Sequence, residues 1–253
     1  MFQTISNFMR VRDIRNKIIF TLLMLIVFRI GTFIPVPNVD ANVLKAVNEF
    51  NIVGFLNTFG GGALANFSIF AMGIMPYITA SIIVQLLQMD VVPKFAEWSK
   101  QGEVGRRKLA QFTRYFTIVL GFIQSFAMSY GFNAMYGGTL IKDTSIGSYL
   151  TIAIVLTAGT AFLLWLAEQI TAYGVGNGIS IIIFAGIVAA MPNAINQLYA
   201  QKIEGAGDQL FLNIVILLLL LLIMLAVIVG VIYVQQALRK IPIQYAKRVA
   251  GRG

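Results

Sequence analysis

The stretch that decides the fold is IVGFLNTFGGGALANFSIFAMGIMPYITASIIVQLLQM, residues 52–89. It begins with a short half-apolar segment, Ile52–Phe59, which three consecutive glycines follow. A longer apolar run, Phe67–Met89, comes next and is interrupted near its start by Gly73 and Pro76. A hydrophobic segment too short to cross a bilayer, joined to one long enough to cross, is typical of a re-entrant element. Because non-helical backbone survives at membrane depth only where protein buries it or where it lines a watery cavity, this stretch predicts a cavity.

The composition indicates a membrane protein. Of the 253 residues, 58% are hydrophobic and 11% are charged, whereas soluble globular domains carry about 25% charged residues. The sequence contains no cysteine and no histidine, which excludes structural disulfides, cysteine or histidine metal sites and Ser-His catalysis within this chain. We therefore expect no enzyme here, and no catalytic residue, metal site or cofactor.

Six apolar runs approach or exceed the length of about 20 helical residues that the hydrocarbon core requires. An amphipathic segment precedes the first run, with Ile5, Phe8, Val11 and Ile14 three residues apart, and predicts a helix lying in the cytoplasmic interface. The sequence therefore predicts an all-α polytopic membrane protein with six transmembrane helices, a short re-entrant helix and an N-terminal interfacial helix. The predicted spans are Ile18–Val36, Phe67–Met89, Tyr115–Met135, Ile146–Ala167, Val175–Met191 and Phe211–Val234.

The basic residues predict the orientation of the chain. Fifteen of the 19 lysines and arginines lie before the first span, between the second and third, or after the sixth. By the positive-inside rule this bias places both termini in the cytoplasm, and it accounts for most of the net charge of +9. The polar stretch Pro192–Gln209 predicts a flexible external hinge. We expect one domain over residues 1–196, with spans one to five, and a second over residues 197–253, with the hinge, span six and the start of a cytoplasmic loop.

Ionisable residues inside the predicted spans are scarce. Arg29 lies well inside the first span, and Glu168 lies at the end of the fourth. Intramembrane charges often mark an ion or substrate path, but an arginine can also snorkel or pair with a backbone carbonyl, and Glu168 is expected at the interface. The scarcity disfavours half of a secondary transporter, and the lack of paired intramembrane acids disfavours an intramembrane enzyme, but both stay open as alternatives.

Two further patterns have both an ordinary and a functional interpretation. Ile74, Ile78 and Ile82 form a stripe along one face of the second span, and Ile181–Ile183 form a run in the fifth. Such isoleucines usually pack or face lipid, but a narrow aliphatic ring can also gate a pore by dewetting. The cytoplasmic arginines and lysines satisfy the positive-inside rule and attract anionic lipid, or they contact phosphates such as those of RNA.

Motifs along nearly the whole chain resemble those of the SecY family of protein-conducting channels, in the family's order and spacing. Members of that family have ten spans, so the resemblance implies that this chain is an N-terminal six-span portion. The motifs are VFRIGTFIPVP (27–37), FGGGAL (59–64), GIMPYITASI (73–82), GRRK (105–108), QFTRY (111–115), EQIT (168–171), GNGISIIIFAG (176–186) and YAKR (245–248).

The resemblance implies a passive pore that passes unfolded secretory polypeptides and a lateral gate that releases transmembrane segments into lipid. The family's pore ring falls on Ile74, Ile78 and Ile183, and its lateral gate includes Thr79, Ile82 and Gln85. Its plug falls on residues 52–65, with Ile52, Phe55, Leu56, Phe59, Gly60, Gly61, Gly62 and Leu64 as the residues concerned.

The resemblance also implies partners. The ribosome with its RNA, or the SecA motor, is expected at the cytoplasmic face, SecE and SecG are expected as companion subunits, and the cell membrane is the expected location. A polypeptide with a signal sequence and the membrane lipid complete the expected partners. The partner-binding loops fall on Arg106, Arg107, Lys108, Arg239, Lys240, Lys247, Arg248 and Arg252.

Overall fold

The computed structural model describes residues 11–40, 43, 57, 60–89, 91–204 and 209–238. The all-helical class predicted from the sequence is confirmed. Two isolated β-bridges, Pro35–Ser68 and Val39–Ile141, connect segments that lie between helices. In chain order the helices are α1 (Arg12–Gly31), α2 (Met75–Leu87), α3 (Pro93–Lys100), α4 (Glu103–Met135), α5 (Ile146–Tyr173), α6 (Gly178–Lys202) and α7 (Leu210–Gln235).

Four of these helices are long and apolar enough to cross a bilayer: α4, α5, α7 and the Gly178–Ala200 part of α6. Helix α2 is apolar but has only 13 residues, which corresponds to about 20 Å at the rise of an α-helix. Helix α1 has 20 residues but carries Arg15, Lys17 and Arg29. The count of six spans and the cytoplasmic location of the termini therefore stay predictions.

The predicted interfacial helix falls mainly on residues that precede the described part of the chain. Of its apolar positions, Val11 and Ile14 are described, and Ile14 belongs to α1, which begins six residues before the predicted first span.

The second predicted span, Phe67–Met89, is interrupted near its start, as Gly73 and Pro76 predict. Residues 60–74 form turns, and α2 begins only at Met75. Gly73 adopts a φ of +56°, a left-handed conformation that glycine enters without strain. Pro76 lies in the first turn of α2, where its missing N–H donor is not required. These two residues therefore determine where the helix starts.

The predicted external hinge at Pro192–Gln209 was wrong over most of its length, because α6 continues through Pro192 to Lys202. The nine residues that follow Pro192 include alanine, leucine and glutamine and no glycine, and such residues favour a helix. Helix α6 ends where the N–H groups of Ile203 and Glu204 both donate to the carbonyl of Tyr199.

The basic stretch between the second and third spans was predicted as a loop, and this was also wrong. Arg106, Arg107 and Lys108 lie in the first two turns of α4, where all three are exposed. The Arg107 Nη2 atom lies 2.8 Å from Glu103 Oε1, and an ion pair at this i, i+4 spacing stabilises a helix. These charges are therefore carried on a helix, in a fixed order around its axis.

The chain forms two compact units, Met1–Pro192 and Asn193–Gly253. In the second unit, none of the residues of α7 is buried, and the side-chain amide of Asn213 donates to the carbonyl of Lys202 over 2.9 Å. The predicted domain boundary after residue 196 concerns the halves of a channel and stays a prediction.

Within the first unit, α4 packs on α5, α2 and α3, and its buried residues form a row in which most members are small. Residues four apart lie on successive turns of a helix, so the row forms a ridge that winds around α4, and small side chains let membrane helices approach closely. The hydroxyls of Thr113 and Thr117 donate to carbonyls four residues back, over 2.9 and 2.7 Å, so neither is unpaired. The buried row of α4 is Gly105, Leu109, Thr113, Thr117, Gly121, Ser125, Ser129 and Asn133.

Phe70 anchors residues 60–74, which we call the re-entrant segment, in the core of the first unit. Its ring stacks against Phe28 of α1, with centroids 6.2 Å apart, and against Phe162 of α5, 6.0 Å apart. The neighbouring carbonyl of Ile69 lies directly against Gly159 of α5, where an added Cβ atom would overlap it. The re-entrant segment is therefore fixed between two helices.

We expect Gly159→Ala to lower the stability of the protein by about 1–3 kcal/mol, because the carbonyl of Ile69 must move to admit the methyl group. Gly131→Ala on α4 is the matched control, since an added Cβ there meets nothing within 4 Å. In that variant we expect no loss, or a gain of up to about 1 kcal/mol from helix propensity. The midpoints of thermal unfolding of the purified variants in detergent measure the difference, and equal midpoints would contradict the packing described.

Candidate functional site

The candidate site centres on three glycines, Gly60–Gly62, which we call the glycine turn. Gly61 and Gly62 adopt φ values of +63° and +89°, which residues with a side chain rarely reach. The N–H of Gly62 donates to the carbonyl of Asn57 over 3.1 Å, and the side chain of Asn57 accepts from the N–H of Ala65 over 2.8 Å. Hydrogen bonds between Asn57 and the backbone of Gly62 and Ala65 thus hold the turn.

Most of the rest of the re-entrant segment is buried. Ala63, Leu64, Phe67 and Phe70 are each at most 2% exposed. The backbone of the segment pairs with the strand-like stretch after α1, where Ile69 N–H donates to the carbonyl of Ile34 over 3.0 Å. Irregular backbone that is enclosed by protein and hydrogen-bonded is compatible with membrane depth.

A cavity of about 330 Å³ lies beside the glycine turn. The three predicted pore-ring residues all line it: Ile74, which is buried, and Ile78 and Ile183, which are partly exposed. Gly60 and Leu64 of the predicted plug also contribute to its wall. The structure thus brings α6 next to the re-entrant segment and α2. Ile183 of α6 is more than 100 residues from Ile78 in the sequence.

The remaining predicted plug residues, Ile52, Phe55, Leu56 and Phe59, lie outside the described residues. So do five of the predicted partner-binding residues: Arg239, Lys240, Lys247, Arg248 and Arg252.

The predicted lateral-gate residues lie on α2. Ile82 and Gln85 are exposed and Thr79 is partly exposed, whereas Ala80 and Val84 on the other side of the helix are buried. The hydroxyl of Thr79 donates to the carbonyl of Met75 within the same helix, over 3.1 Å. Within the described part of the first unit, no other element covers this side of α2, so it can contact lipid or another protein segment.

Arg29 is held by the glycine turn. Its Nη1 atom donates to the carbonyl oxygen of Gly61 over 2.6 Å, and its guanidinium carbon lies 4.7 Å from the centroid of the Phe33 ring. Of the interpretations that the sequence left open for this residue, the structure supports pairing with a backbone carbonyl. The identity of that carbonyl was not predictable, because the two residues are 32 positions apart.

Glu168 forms an ion pair with Arg114 that sequence reasoning missed. Glu168 Oε1 lies 2.5 Å from Arg114 Nε, with the two side chains 33% and 52% exposed. Water screens a pair this accessible, so it contributes little to stability. The pair lies beside a second cavity of about 600 Å³, whose wall includes Tyr115 and Trp165. The ion pair connects α4 to the C-terminal part of α5.

The comparisons with known proteins agree in one family. The model of the SecY family matches residues 68–253. The protein translocase subunit SecY of Bacillus licheniformis is 75% identical over 247 residues, covering 98% of this chain and 57% of the relative. The Bacillus subtilis subunit of the same name is 71% identical, covering 98% of this chain and 57% of its own length. This chain therefore spans a little under three fifths of the length of these relatives.

The fold also matches a solved channel structure. Sec61 in the canine ribosome-channel complex from the endoplasmic reticulum aligns with a TM-score of 0.52 at 20% identity, covering 90% of this chain and 49% of that one. With its long apolar helices, the chain is a multi-pass membrane protein. On the extent of the match to the family model and to these relatives, the chain belongs to the SecY family.

Proposed function

We propose that this chain forms the N-terminal part of a protein-conducting channel subunit, which passes unfolded secretory polypeptides across the membrane and releases transmembrane segments into lipid. The observation that carries the proposal is the cavity lined by Ile74, Ile78 and Ile183 beside the glycine turn. The relatives of this chain are named protein translocase subunits, which also supports a role in protein translocation. The channel is a passive conduit and not an enzyme.

The chemistry of the cavity wall suits this role. The three isoleucines are aliphatic, so they offer a passing polypeptide no hydrogen-bonding partner that would retain one sequence over another. A narrow aliphatic constriction also excludes water and ions while it is empty. In this proposal the three side chains form the pore ring, residues 52–65 form a plug beside it, and the exposed side of α2 with Thr79, Ile82 and Gln85 forms part of the lateral gate.

One observation counts against the alternative that this chain is half of a secondary transporter. A coupled transporter requires ionisable side chains that can bind an ion or substrate near the midplane. Arg29, the charge well inside the first predicted span, instead donates to the carbonyl of Gly61. This observation favours a structural use of the charge.

Cross-linking tests the proposed path directly. We expect a photoreactive amino acid at position 183 to cross-link to a secretory polypeptide that is stalled during translocation into membrane vesicles. The same amino acid at position 154 is the control, because Ile154 is 58% exposed on α5 and does not line the cavity. Cross-links from position 154 alone, or from neither position, would contradict the path.

Conductance tests the pore ring. We expect Ile74, Ile78 and Ile183 replaced together by serine to raise the ion leak of the assembled channel in a planar bilayer, because a wettable constriction no longer excludes ions. The matched control replaces three exposed isoleucines, Ile123, Ile154 and Ile187, which are 58%, 58% and 36% exposed. An unchanged leak in the first variant, or an equal rise in both, would refute the assignment.

We further propose that the chain lies in the cell membrane with both termini in the cytoplasm, and that its basic segments bind the ribosome or the SecA motor, with SecE and SecG as companion subunits. The distribution of lysine and arginine supports the orientation. The related canine channel was solved in a complex with the ribosome, which supports a ribosomal partner. The exposed Arg106, Arg107 and Lys108 at the start of α4 offer one such surface.

Charge reversal tests the partner-binding segment. We expect Arg248→Glu with Arg252→Glu to weaken ribosome binding and to make it less dependent on salt, with the salt slope falling by about one for each phosphate that the variant no longer neutralises. Arg12→Glu with Arg15→Glu changes the same charge in another cytoplasmic segment and should bind normally. Membrane orientation is checked in both variants. Normal ribosome and motor binding by a correctly oriented first variant would leave these arginines only their role in topology.

A further inference from the structure

We propose that Arg29 is a positioning residue for the plug: its bond to the carbonyl of Gly61 holds the glycine turn, and with it the plug, in the resting position. This inference rests on the proposed function, because it takes the segment that contains the glycine turn, residues 52–65, to be the plug. It adds a residue of α1 and the contact through which that residue acts.

The glycine turn is held from two sides. From α1, Arg29 Nη1 donates to the Gly61 carbonyl oxygen over 2.6 Å. From α6, the backbone of Gly186 lies so close that a Cβ atom added at Gly61 would be 3.0 Å from the Gly186 Cα atom. The contact with Gly186 blocks a shift of the turn toward α6, and a shift away from Arg29 breaks the bond to its guanidinium.

The chemistry of Arg29 makes this bond costly to break. A charged donor forms a stronger hydrogen bond with a carbonyl than a neutral donor does. Arg29 lies in the last turn of α1, inside the first predicted span, where a charged side chain is costly unless it pairs with another group such as a backbone carbonyl. The ring of Phe33, whose centroid lies 4.7 Å from the guanidinium carbon, attracts the cation. Displacement of the turn would therefore leave a charge without its acceptor.

The position of the bond connects it to the proposed pore. Phe28, the neighbour of Arg29 in α1, lines the same cavity as Gly60, Leu64 and Ile183. One turn of α1 thus contributes to the wall of the cavity and holds the segment that lies beside it. Arg29 acts through the position of this segment, with no need to touch the translocated polypeptide.

The test measures resting ion conductance of the assembled channel complex in planar bilayers. We expect Arg29→Met to raise the open population about tenfold or more, the effect of losing a hydrogen bond to a charged group. Arg29→Lys should give a smaller rise, because lysine keeps the charge and donates without a planar fork. Arg15→Met removes a charge from an exposed position of the same helix and should leave conductance unchanged.

A second arm separates positioning from general destabilisation. In a channel that lacks residues 52–65, Arg29→Met should add no further conductance, since two changes that act through one element are not additive. Phe33→Leu, at a side chain that is 59% exposed, is the milder variant if Arg29→Met does not assemble, and we expect a rise smaller than that of Arg29→Met. Thermal unfolding midpoints of each variant are compared with the wild type.

The results discriminate among the possibilities. Conductance of Arg29→Met and Phe33→Leu equal to that of Arg15→Met, or the same increase with and without residues 52–65, would overturn the role of Arg29. If a stalled polypeptide still cross-links to position 183 in that case, the proposed pathway stands and only the positioning role fails. If no polypeptide cross-links to position 183 in the wild type, the proposed function itself fails.

Discussion

The requirement that backbone N–H and C=O groups at membrane depth find partners inside the protein governs this structure. A helix satisfies the requirement by itself, whereas the re-entrant segment pairs its groups partly in turns of its own and partly with neighbouring segments. Ile69 N–H donates to Ile34, the carbonyl of Phe67 accepts from Val36, and the carbonyl of Gly61 accepts from Arg29. The stretch after α1, the glycine turn and the end of α1 therefore depend on one another for their hydrogen bonds.

The same requirement explains the packing around the segment. To bring irregular backbone into the interior, α1 and α5 must leave room for it, and both do so with glycine. Gly31 of α1 faces the ring of Phe70, and Gly159 of α5 faces the carbonyl of Ile69. The small residues of α4 bring that helix close to α5 in turn. Small residues therefore determine where the re-entrant segment can lie, and large ones such as Phe70 fill what remains.

The sequence predicted the helical class and the interruption before α2 because both follow from local patterns. Apolar runs give helices, and Gly73 with Pro76 interrupts one of them at the point where α2 starts. It misjudged Pro192 and the basic stretch before Tyr115, because polar residues were taken as evidence of loops although both stretches consist largely of good helix formers. Polar residues indicate contact with water, and a helix that extends beyond the membrane exposes them to water as well as a loop does.

What the sequence could not supply was which distant residues meet. Arg114 with Glu168 and Arg29 with Gly61 are contacts between separate elements, and no spacing within one helix signals them. The gathering of Ile74, Ile78 and Ile183 around one cavity was expected only from family resemblance. A stripe of isoleucines by itself is compatible with lipid contact, internal packing or a pore.

The bond from Arg29 to Gly61 also determines which positions are free to vary over evolutionary time. The acceptor is a main-chain oxygen, which every amino acid carries, so the contact reads the path of the chain and ignores its side chains. Gly61 itself is constrained by its φ of +63° and by the approach of Gly186. A contact of this kind places no demand on the identity of the side chain at its acceptor position. What it requires is a backbone that reaches the same point, and here the demand for glycine comes from the conformation of the turn.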